Sequence, residues 1–489
     1  MKKLLDKYES RRLSLLELLY YNEHVVTLSF LSEKLNCAER TLKNDINYLK
    51  RCFGDDFLKT SNRGIQLQLP KNKGIEVFYE YALRDSFSFS LLEHIFKNDT
   101  LSTIELAQLV DTSISTVTRS IQRINDTLKP YTIEITSSPY KIVGDESNIR
   151  LFFFYYFSER YSHSVWPYEK INESIFDQLI LYFATHNQLA LDYNEFIKLK
   201  KWLAISLIRT QKKHYISIER PYSNAFIPDL TNYSFQVNEI EKELNLSFNE
   251  ETIKQLCAFF LNEHYFFNYT ELVNRTKSNP SIKEYHDFLS GYLLLIADKA
   301  GISLINHDEI IVKMFNISYL YIYKNKQIAP ITHILWDRKK SFIQSIEEEY
   351  PEFITLAKEL LIEQQHSNKI NLSEDVQKSL LYYIIVYWDN LLHNLNNTRK
   401  KYKLLIFSDF DKAHAKTLQS IFKNYFKNFV SVSIYSHPYL SNSLLKEIDY
   451  DILITTTSIE NIDGKETIYI HNIPSERDFN LIKNKIGRF

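Results

Sequence analysis

Two stretches of the chain, residues 31–49 and 106–124, resemble each other without a gap at a constant shift of 75 residues. In each, a short amphipathic segment leads into a polar link, 36–38 or 111–113, and a longer amphipathic segment follows. Helix, tight turn and helix make up the helix-turn-helix motif, so the repeat predicts two such modules in tandem. The aligned apolar pairs are Leu31 with Leu106, Leu35 with Val110, Leu42 with Val117, Ile46 with Ile121, and Leu49 with Ile124.

The second helix of the first copy is predicted to have an inner and an outer face. Leu42, Ile46 and Leu49 recur at i, i+4 and i+7, so they form one apolar stripe for the core of the module. Arg and Lys side chains pair with guanine edges or phosphates, and Asn pairs with adenine, so a polar outer face suits the major groove. The residues predicted to contact DNA in this copy are Arg40, Thr41, Lys43, Asn44, Asn47 and Lys50.

The second copy follows the same pattern. Val117, Ile121 and Ile124 form its apolar stripe, and polar side chains occupy the other positions of the helix. The residues predicted to contact DNA in this copy are Ser115, Thr116, Thr118, Arg119, Gln122 and Arg123.

Two short extended runs around a turn follow each copy, at 56–70 and at 132–145, and predict a β-hairpin wing for each module. Asn62-Arg63-Gly64 has the composition of a hairpin tip, where Arg63 is predicted to reach phosphate or the minor groove. The two winged modules are predicted to span 1–72 and 73–150. A solvated helix or a protein-interaction module is the alternative for a single copy, but two copies in one register, each with a wing, favour DNA binding.

Composition limits the remaining fold. Only 8 glycines and 11 prolines occur in 489 residues, which predicts a mainly α, multidomain protein with few strand turns. Because the net charge is −1, DNA binding has to come from local clusters. The 3 cysteines lack CxxC spacing, so we expect a reducing cytoplasm and no zinc site.

Segments and motifs of several other protein classes are absent from the sequence. We find no signal peptide and no apolar run of membrane-spanning length, so no membrane association is expected. Nucleotide-binding, metalloprotease and hydrolase motifs are also missing, so the sequence predicts neither catalysis nor a cofactor.

Helical, aromatic-rich segments fill residues 150–395, and a weaker repeat runs through them. Segment 249–260 resembles 373–384, and 200–209 resembles 313–322. These pairs predict two homologous helical bundles, at 151–278 and 279–397. A single larger helical domain is the alternative, because amphipathic helices resemble one another in general.

The last segment, 398–489, alternates short apolar runs with amphipathic ones. Strands are predicted at 403–407, 430–435, 451–456 and 466–470, and helices at 411–426 and 475–486. This alternation predicts a small α/β domain around a mostly parallel sheet.

Taken together, the tandem winged modules, the two helical bundles and the terminal α/β domain resemble the Mga/AtxA family of virulence and global regulators from Gram-positive bacteria. The resemblance covers essentially the whole chain, and residues 474–483 are similar to the C-terminal helix of the family. It implies that the bundles are PTS-regulation (PRD) domains, whose histidines are phosphorylated by sugar-phosphotransferase (PTS) proteins such as HPr. It also implies that the α/β domain resembles an EIIB phosphocarrier domain and assists self-association.

The chain departs from the family pattern at two places. An active EIIB carries phosphate on a cysteine after the first strand, whereas this loop begins with Ser408, so the domain is not expected to relay phosphate. Ile197 and Ile384 align with regulatory histidines of a family member, and the runs 195–209 and 374–392 contain no histidine. Any phospho-regulation is therefore expected at another bundle histidine, nine of which lie between 160 and 395, including His214, His264, His286 and His393.

These features predict a transcription regulator that binds double-stranded DNA as a homodimer or larger assembly. Two alternatives belong to other functional classes. A PTS phosphocarrier would need the missing cysteine, and an RNA-binding antiterminator with such bundles would begin with a small β-rich domain in place of the winged repeats.

Overall fold

The computed structural model describes residues 1–22, 24–137, 139–161, 165–168, 172–186, 191–217, 241–242, 245–258, 265–266, 268–323, 330–398, 401–460, 462 and 464–486. They belong to two compact units, Met1–Phe266 with Tyr319–Arg338, and Phe267–Ser318 with Lys339–Phe489. Helices predominate in the chain, as predicted. Among the described helices, none has the length and apolar character needed to cross a membrane.

The first module contains a three-helix core and a hairpin. Asp6 and Glu9 form a capping box at the start of its first helix. Asn36 makes the turn between the second and third helices in the left-handed conformation, with φ 46°, which Asn tolerates better than most residues. The elements are α1 (Lys7–Tyr21), α2 (Leu28–Leu35), α3 (Glu39–Phe53), β1 (Leu58–Ser61) and β2 (Gly64–Leu67), and β1 and β2 pair in antiparallel register.

The hairpin of the first module also pairs with the segment that precedes α2. Val26 and Ile65 exchange two backbone hydrogen bonds of 2.8 Å. Gly64 has φ +136°, and a Cβ atom there would lie 2.3 Å from the carbonyl oxygen of Val26. Only glycine allows this approach, which fixes the hairpin beside the helices.

The second module repeats this arrangement 75 residues later. Asp111 makes the same left-handed turn, with φ 47°, and the amide of Tyr140 donates to the carbonyl oxygen of Leu101 (3.0 Å), as Ile65 does to Val26. The predicted tandem repeat and both hairpins are therefore confirmed. Its elements follow the linking helix α4 (Glu76–Asp85) and are α5 (Phe87–Lys97), α6 (Thr103–Leu109), α7 (Ile114–Leu128), β3 (Ile133–Thr136) and β4 (Lys141–Gly144).

Helix α8 (Glu146–Arg160) joins the second module to the helical region. Its buried aromatic side chains pack against α5, with the rings of Phe153 and Phe96 4.0 Å apart. The aromatic side chains in this part of the sequence therefore belong to the hydrophobic core. The described helices here are α8 (Glu146–Arg160), α9 (Glu173–His186), α10 (Tyr193–Gln211) and α11 (Glu250–Cys257).

A segment from much later in the chain, 331–338, packs onto the same unit. The carboxylate of the half-buried Glu159 accepts hydrogen bonds from the amides of three consecutive residues, Ile334 (2.6 Å), Leu335 (2.8 Å) and Trp336 (3.0 Å). The indole of Trp336 stacks on the ring of Tyr79 in α4 at 5.4 Å. These contacts explain why Tyr319–Arg338 belongs to the unit that contains both modules.

The second unit continues the helical region and carries the α/β domain. Within it, the hydroxyl of Tyr292 donates to the carbonyl oxygen of Ala357 (2.9 Å) and ties two helices together. The predicted division into bundles at 151–278 and 279–397 stays a prediction. The helices that lie wholly or mostly in this unit are α12 (Tyr269–Thr276), α13 (Pro280–Ala300), α14 (His307–Tyr323), α15 (Arg338–Glu349), α16 (Pro351–Asn368), α17 (Glu374–Tyr387) and α18 (Leu391–Thr398).

The C-terminal domain is a four-stranded sheet with helices, as predicted. All its strand pairs are parallel, in the order β6-β5-β7-β8, and Leu404, Ile406 and Ile454 lie in its core. Its elements are β5 (Tyr402–Phe407), α19 (Lys412–Phe426), β6 (Val430–Ile434), α20 (Asn442–Glu447), β7 (Ile452–Thr455), β8 (Glu466–Tyr469) and α21 (Glu476–Ile486).

Candidate nucleic-acid interface

Helix α3 presents a polar outer face. Its stripe of Leu42, Ile46 and Leu49 is buried, as the spacing predicts, which turns the opposite side of the helix to solvent. The exposed side chains there make no hydrogen bond or ion pair within the described residues, so their donors are available to a ligand. They are Arg40, Lys43, Asn44 and Asn47.

The other residues predicted in the first module lie beside this face. Thr41 is half-buried, and Lys50, also half-buried, donates its Nζ to Thr60 Oγ1 in the hairpin at 3.0 Å. Arg63 is exposed in the two-residue turn of the hairpin, where its backbone amide donates to Ser61 Oγ. The hairpin therefore adds Arg63 to the donors of α3.

Helix α7 has the same burial pattern and a different chemistry. Val117, Ile121 and Ile124 are buried, whereas Ser115, Thr118, Arg119 and Gln122 are exposed and Thr116 is half-buried. Ser113 caps the helix, since its hydroxyl accepts from the amide of Thr116. Some hydroxyl groups on this face of α7 thus form hydrogen bonds within the protein, whereas the exposed donors of α3 form none among the described residues.

Arg123 points into the protein rather than to solvent. Its half-buried guanidinium donates Nη2 to Ser88 Oγ (2.6 Å) and to the carbonyl oxygen of Leu4 (3.4 Å). Both partners lie far from α7 in sequence, so helical periodicity could not identify them. The structure therefore gives Arg123 a role in anchoring α7.

Sequence reasoning also missed an acidic residue on the inner side of α3. Asp45 is buried and forms ion pairs with Arg11 Nε (2.5 Å) and Arg12 Nε (3.1 Å) of α1. Its hydrogen bond, together with its charge, raises the pKa of Arg11 although burial lowers it. A carboxylate between Leu42 and Ile46 was the available signal, because a buried charge needs partners. Arg11 and Arg12 thus brace α3 from inside.

A buried charge cluster connects the second module to the helical region. Arg209 of α10 donates Nη2 to Glu146 Oε2 (2.6 Å) and to the carbonyl oxygen of Ile142 in the hairpin (3.1 Å). Arg150 donates Nε to Glu146 Oε1 (3.0 Å) and Nη1 to the carbonyl oxygen of Gln255 (2.6 Å). Burial raises the pKa of Glu146, but the two arginines outweigh it and lower the pKa. The cluster therefore holds the hairpin, α8, α10 and α11 together.

The positions that align with regulatory histidines carry isoleucine, and the described bundle histidines are taken one by one. Ile197 is half-buried in α10 and Ile384 is buried in α17, and His264 lies outside the described residues. His214 Nε2 lies 3.1 Å from Asp99 Oδ2, and burial, followed by the charge of Arg209, lowers the pKa of His214.

Two further bundle histidines have polar neighbours, and His286 has a second one, since its Nδ1 lies 3.0 Å from Asp287 Oδ1. His286 Nε2 lies 3.2 Å from Tyr269 Oη, and His393 Nε2 lies 3.0 Å from Asn397 Nδ2. Each of these histidines therefore belongs to a separate local contact.

The loop after β5 carries a hydroxyl and no thiol. Ser408 Oγ lies 2.8 Å from His414 Nδ1, and Thr456 Oγ1 donates to Asp409 Oδ1 at 2.6 Å. All 3 cysteines of the chain are free, and none lies in this domain. Within the described residues, His, Cys, Asp and Glu side chains form no group that could hold a metal ion.

Three family models match the chain. The M protein trans-acting positive regulator (MGA) HTH domain matches residues 7–65, the Mga helix-turn-helix domain matches 71–157, and the M protein trans-acting positive regulator (MGA) PRD domain matches 172–391. The first match runs from α1 into β2, the second contains the second module, and the third contains the helices α9 to α17.

Several named proteins are similar to this chain over nearly their full length. A protein of Streptococcus pneumoniae serotype 4, named as a trans-acting regulator, is 28% identical over 97% of this chain and 96% of its own. The capsule synthesis positive regulator AcpB of Bacillus anthracis is 21% identical over 98% of both chains. The anthrax toxin expression trans-acting positive regulator of Bacillus anthracis is 21% identical over 99% of both.

Proposed function

The chain belongs to the Mga/AtxA family of transcription regulators, and from this premise we propose that both of its helix-turn-helix modules bind duplex DNA at once. It is a DNA-binding transcriptional regulator of the Mga type, and its family is regulatory rather than enzymatic. The proposal concerns the residues that contact DNA, the assembly that binds it and the route of its control.

The exposed face of α3 carries the proposal. Arg40, Lys43, Asn44 and Asn47 are exposed donors without a partner among the described residues, on a helix whose other side is core. Such a helix enters the major groove, and Arg63 at the hairpin tip reaches the backbone or the minor groove. Thr41 and Lys50 flank the face, α7 contributes Ser115, Thr116, Thr118, Arg119 and Gln122, and Arg123 supports α7 from within.

Phosphate contacts are expected to dominate the affinity. Titration of the full chain against fluorescent duplex DNA should give an affinity that falls with salt, with a log–log slope of about −0.9 for each phosphate neutralised. Arg40→Ala combined with Lys43→Ala should reduce that slope by about 2. Lys299→Ala, an exposed change of one charge in another helix, is the matched control and should leave binding unchanged. Salt-independent binding, or tighter binding to single-stranded RNA, would refute the proposal.

The proposed control route is PTS phosphorylation of a bundle histidine by a protein such as HPr. The match of residues 172–391 to a PRD domain supports it, because PRD domains are associated with PTS-linked regulation. The α/β domain is proposed to be EIIB-like without phosphocarrier chemistry, since Ser408 stands where that chemistry needs a thiolate.

The proposed assembly is a homodimer or larger homo-oligomer in which the α/β domain supplies part of the interface. A phosphocarrier fold that lacks its nucleophile no longer carries phosphate, but it can still bind another copy of itself or the bundles. Joining two chains doubles the modules on one scaffold and raises their effective concentration at neighbouring DNA sites.

A further inference from the structure

Several polar groups on the outer face of α7 form hydrogen bonds within the protein. Ser113 Oγ lies 2.9 Å from Ser115 Oγ and 2.8 Å from Thr116 Oγ1. Gln122 Nε2 donates to Asp126 Oδ1 at 3.2 Å. Part of the hydrogen-bonding capacity of this face is therefore used within the protein, whereas the guanidinium of Arg119 is exposed.

Apolar surface occupies the start of this face. Ile114, the first residue of α7, has 51% of its surface exposed, and Thr118 lies one turn later on the same side. The hydroxyl of Thr118 donates to the carbonyl oxygen of Ile114 at 3.0 Å. Because that bond directs the hydroxyl back to the helix, the methyl group is the part of Thr118 left for contact. Ile114 and the Thr118 methyl group together form what we call the apolar reader.

The first module differs at both positions. Glu39 and Lys43 lie 75 residues before Ile114 and Thr118, at the same places in α3, and both are exposed. The two modules therefore share one backbone arrangement but offer different chemistry at the first turn of the second helix. That turn is the part of a helix-turn-helix that contacts base edges.

We propose that the apolar reader recognises the C5 methyl group of thymine in the major groove. Thymine is the base that presents a methyl group there, and apolar side chains contact it. The guanidinium of the neighbouring Arg119 would bind a phosphate or an adjacent guanine. This inference rests on the proposed binding of duplex DNA, and it assigns to the second module a thymine preference that the first module does not share.

Deoxyuridine tests the proposal, because it lacks only the methyl group and keeps the pairing of thymine. A duplex that the full chain selects from a random library is resynthesised with deoxyuridine at one thymine at a time. At one or more positions the substitution should weaken wild-type binding about fourfold, the ratio expected for losing one buried methyl group. Ile114→Ala should bind the thymine and deoxyuridine duplexes equally at those positions.

Matched variants separate the reader from general effects. Ile114→Val keeps a branched apolar side chain and should keep the thymine preference. Ile104→Ala removes an equally exposed apolar residue of the preceding helix and should keep it too. Glu39→Ala should leave it unchanged, since that position belongs to the first module.

Each outcome decides the inference. Equal wild-type affinity for thymine and deoxyuridine at every position would overturn it, and so would an Ile114→Ala protein that keeps the preference and the wild-type melting temperature. Failure of the wild-type chain to bind any duplex would instead overturn the proposed binding function on which the inference rests.

Discussion

Arg209 and Glu146 form an ion pair whose side chains are 1% and 9% exposed, and the same guanidinium nitrogen that holds the carboxylate also donates to the hairpin of the second module. A buried pair of this kind is costly to break from one side, because the remaining charge has no partner. Glu146→Gln leaves two buried arginines facing a neutral amide. We expect it to lower the free energy of unfolding of this unit by about 3 kcal/mol, as measured by denaturant unfolding with hydrogen exchange on α8. Glu134→Gln, an exposed change in the same hairpin, should have little effect.

The same pair predicts a pH dependence. The folded state lowers the pKa of Glu146, so its contribution to stability is complete above the ordinary carboxyl pKa and is lost as the pH falls through the lower folded value. The stability difference between wild type and Glu146→Gln should therefore be full at neutral pH and shrink in acid. A difference that stays constant down to the lowest pH at which the protein folds would contradict this assignment.

The apolar stripes of α3 and α7 are predicted to be indispensable. Leu42→Asp and Ile121→Asp place a charge in a small core and should destabilise the affected module by at least about 4 kcal/mol. Hydrogen exchange should show loss of protection in that module. Asn44→Asp introduces the same side chain on the exposed face and is the control, which should retain native protection.

Arg119 and Arg123 lie four residues apart on one helix and are predicted to respond differently. Arg119→Ala with Gln122→Ala should weaken DNA binding about tenfold while changing stability by less than about 0.5 kcal/mol, since both side chains are exposed. Arg123→Ala should cost about 1–3 kcal/mol of stability, because it breaks the bonds to Ser88 and Leu4. Melting curves and DNA titrations of the same proteins make the comparison, and unfolding of the Arg119 variant would show that the assigned helix face is wrong.

Phosphorylation is predicted to occur on a bundle histidine and not in the α/β domain. The chain incubated with phosphoenolpyruvate, enzyme I and HPr should yield phosphopeptides from the helical region, with none from 403–489. The reason is that Ser408 lacks the thiolate of a phosphocarrier, whereas His214, His286 and His393 lie in the bundles. Phosphate found in the α/β domain would refute this, and complete absence of label would show that the chain has lost the regulation.

Self-association is predicted to depend on the α/β domain. Sedimentation should show the full chain as a dimer or larger species at micromolar concentration and a truncation after Asn397 as a smaller one. DNA binding by the full chain should also be the more cooperative. If both proteins sediment as monomers and bind DNA with equal cooperativity, the interface has been placed wrongly.

Local sequence patterns predicted much of this fold, because each copy of the repeat is an independent check on the other. Helices, turns and hairpins of the two modules recur at one shift, and the left-handed turns at Asn36 and Asp111 occupy equivalent places. The alternation after residue 400 likewise predicted the parallel sheet.

The candidate site was harder to predict wherever a side chain depends on a distant partner. Arg123 is a residue type that commonly contacts DNA, and its position on α7 lies at the edge of the outer face. Its hydrogen bonds to Ser88 and Leu4 are what direct it into the protein. The pairs of Asp45 with Arg12 and of Glu146 with Arg209 span 33 and 63 residues of sequence. A pattern read along one helix holds no information about such partners.

The packing of segment 331–338 onto Glu159 has a consequence for synthesis on the ribosome. The unit that contains both modules is interrupted by Phe267–Ser318, which belongs to the other unit, so it cannot be completed when residue 266 emerges. Until Ile334, Leu335 and Trp336 follow, the Glu159 carboxylate lacks its three amide donors and Tyr79 lacks its stacking partner. Such long-range closure is slow and exposes apolar surface in the meantime. The nascent chain therefore carries two unfinished units at the same time until segment 331–338 has left the ribosome.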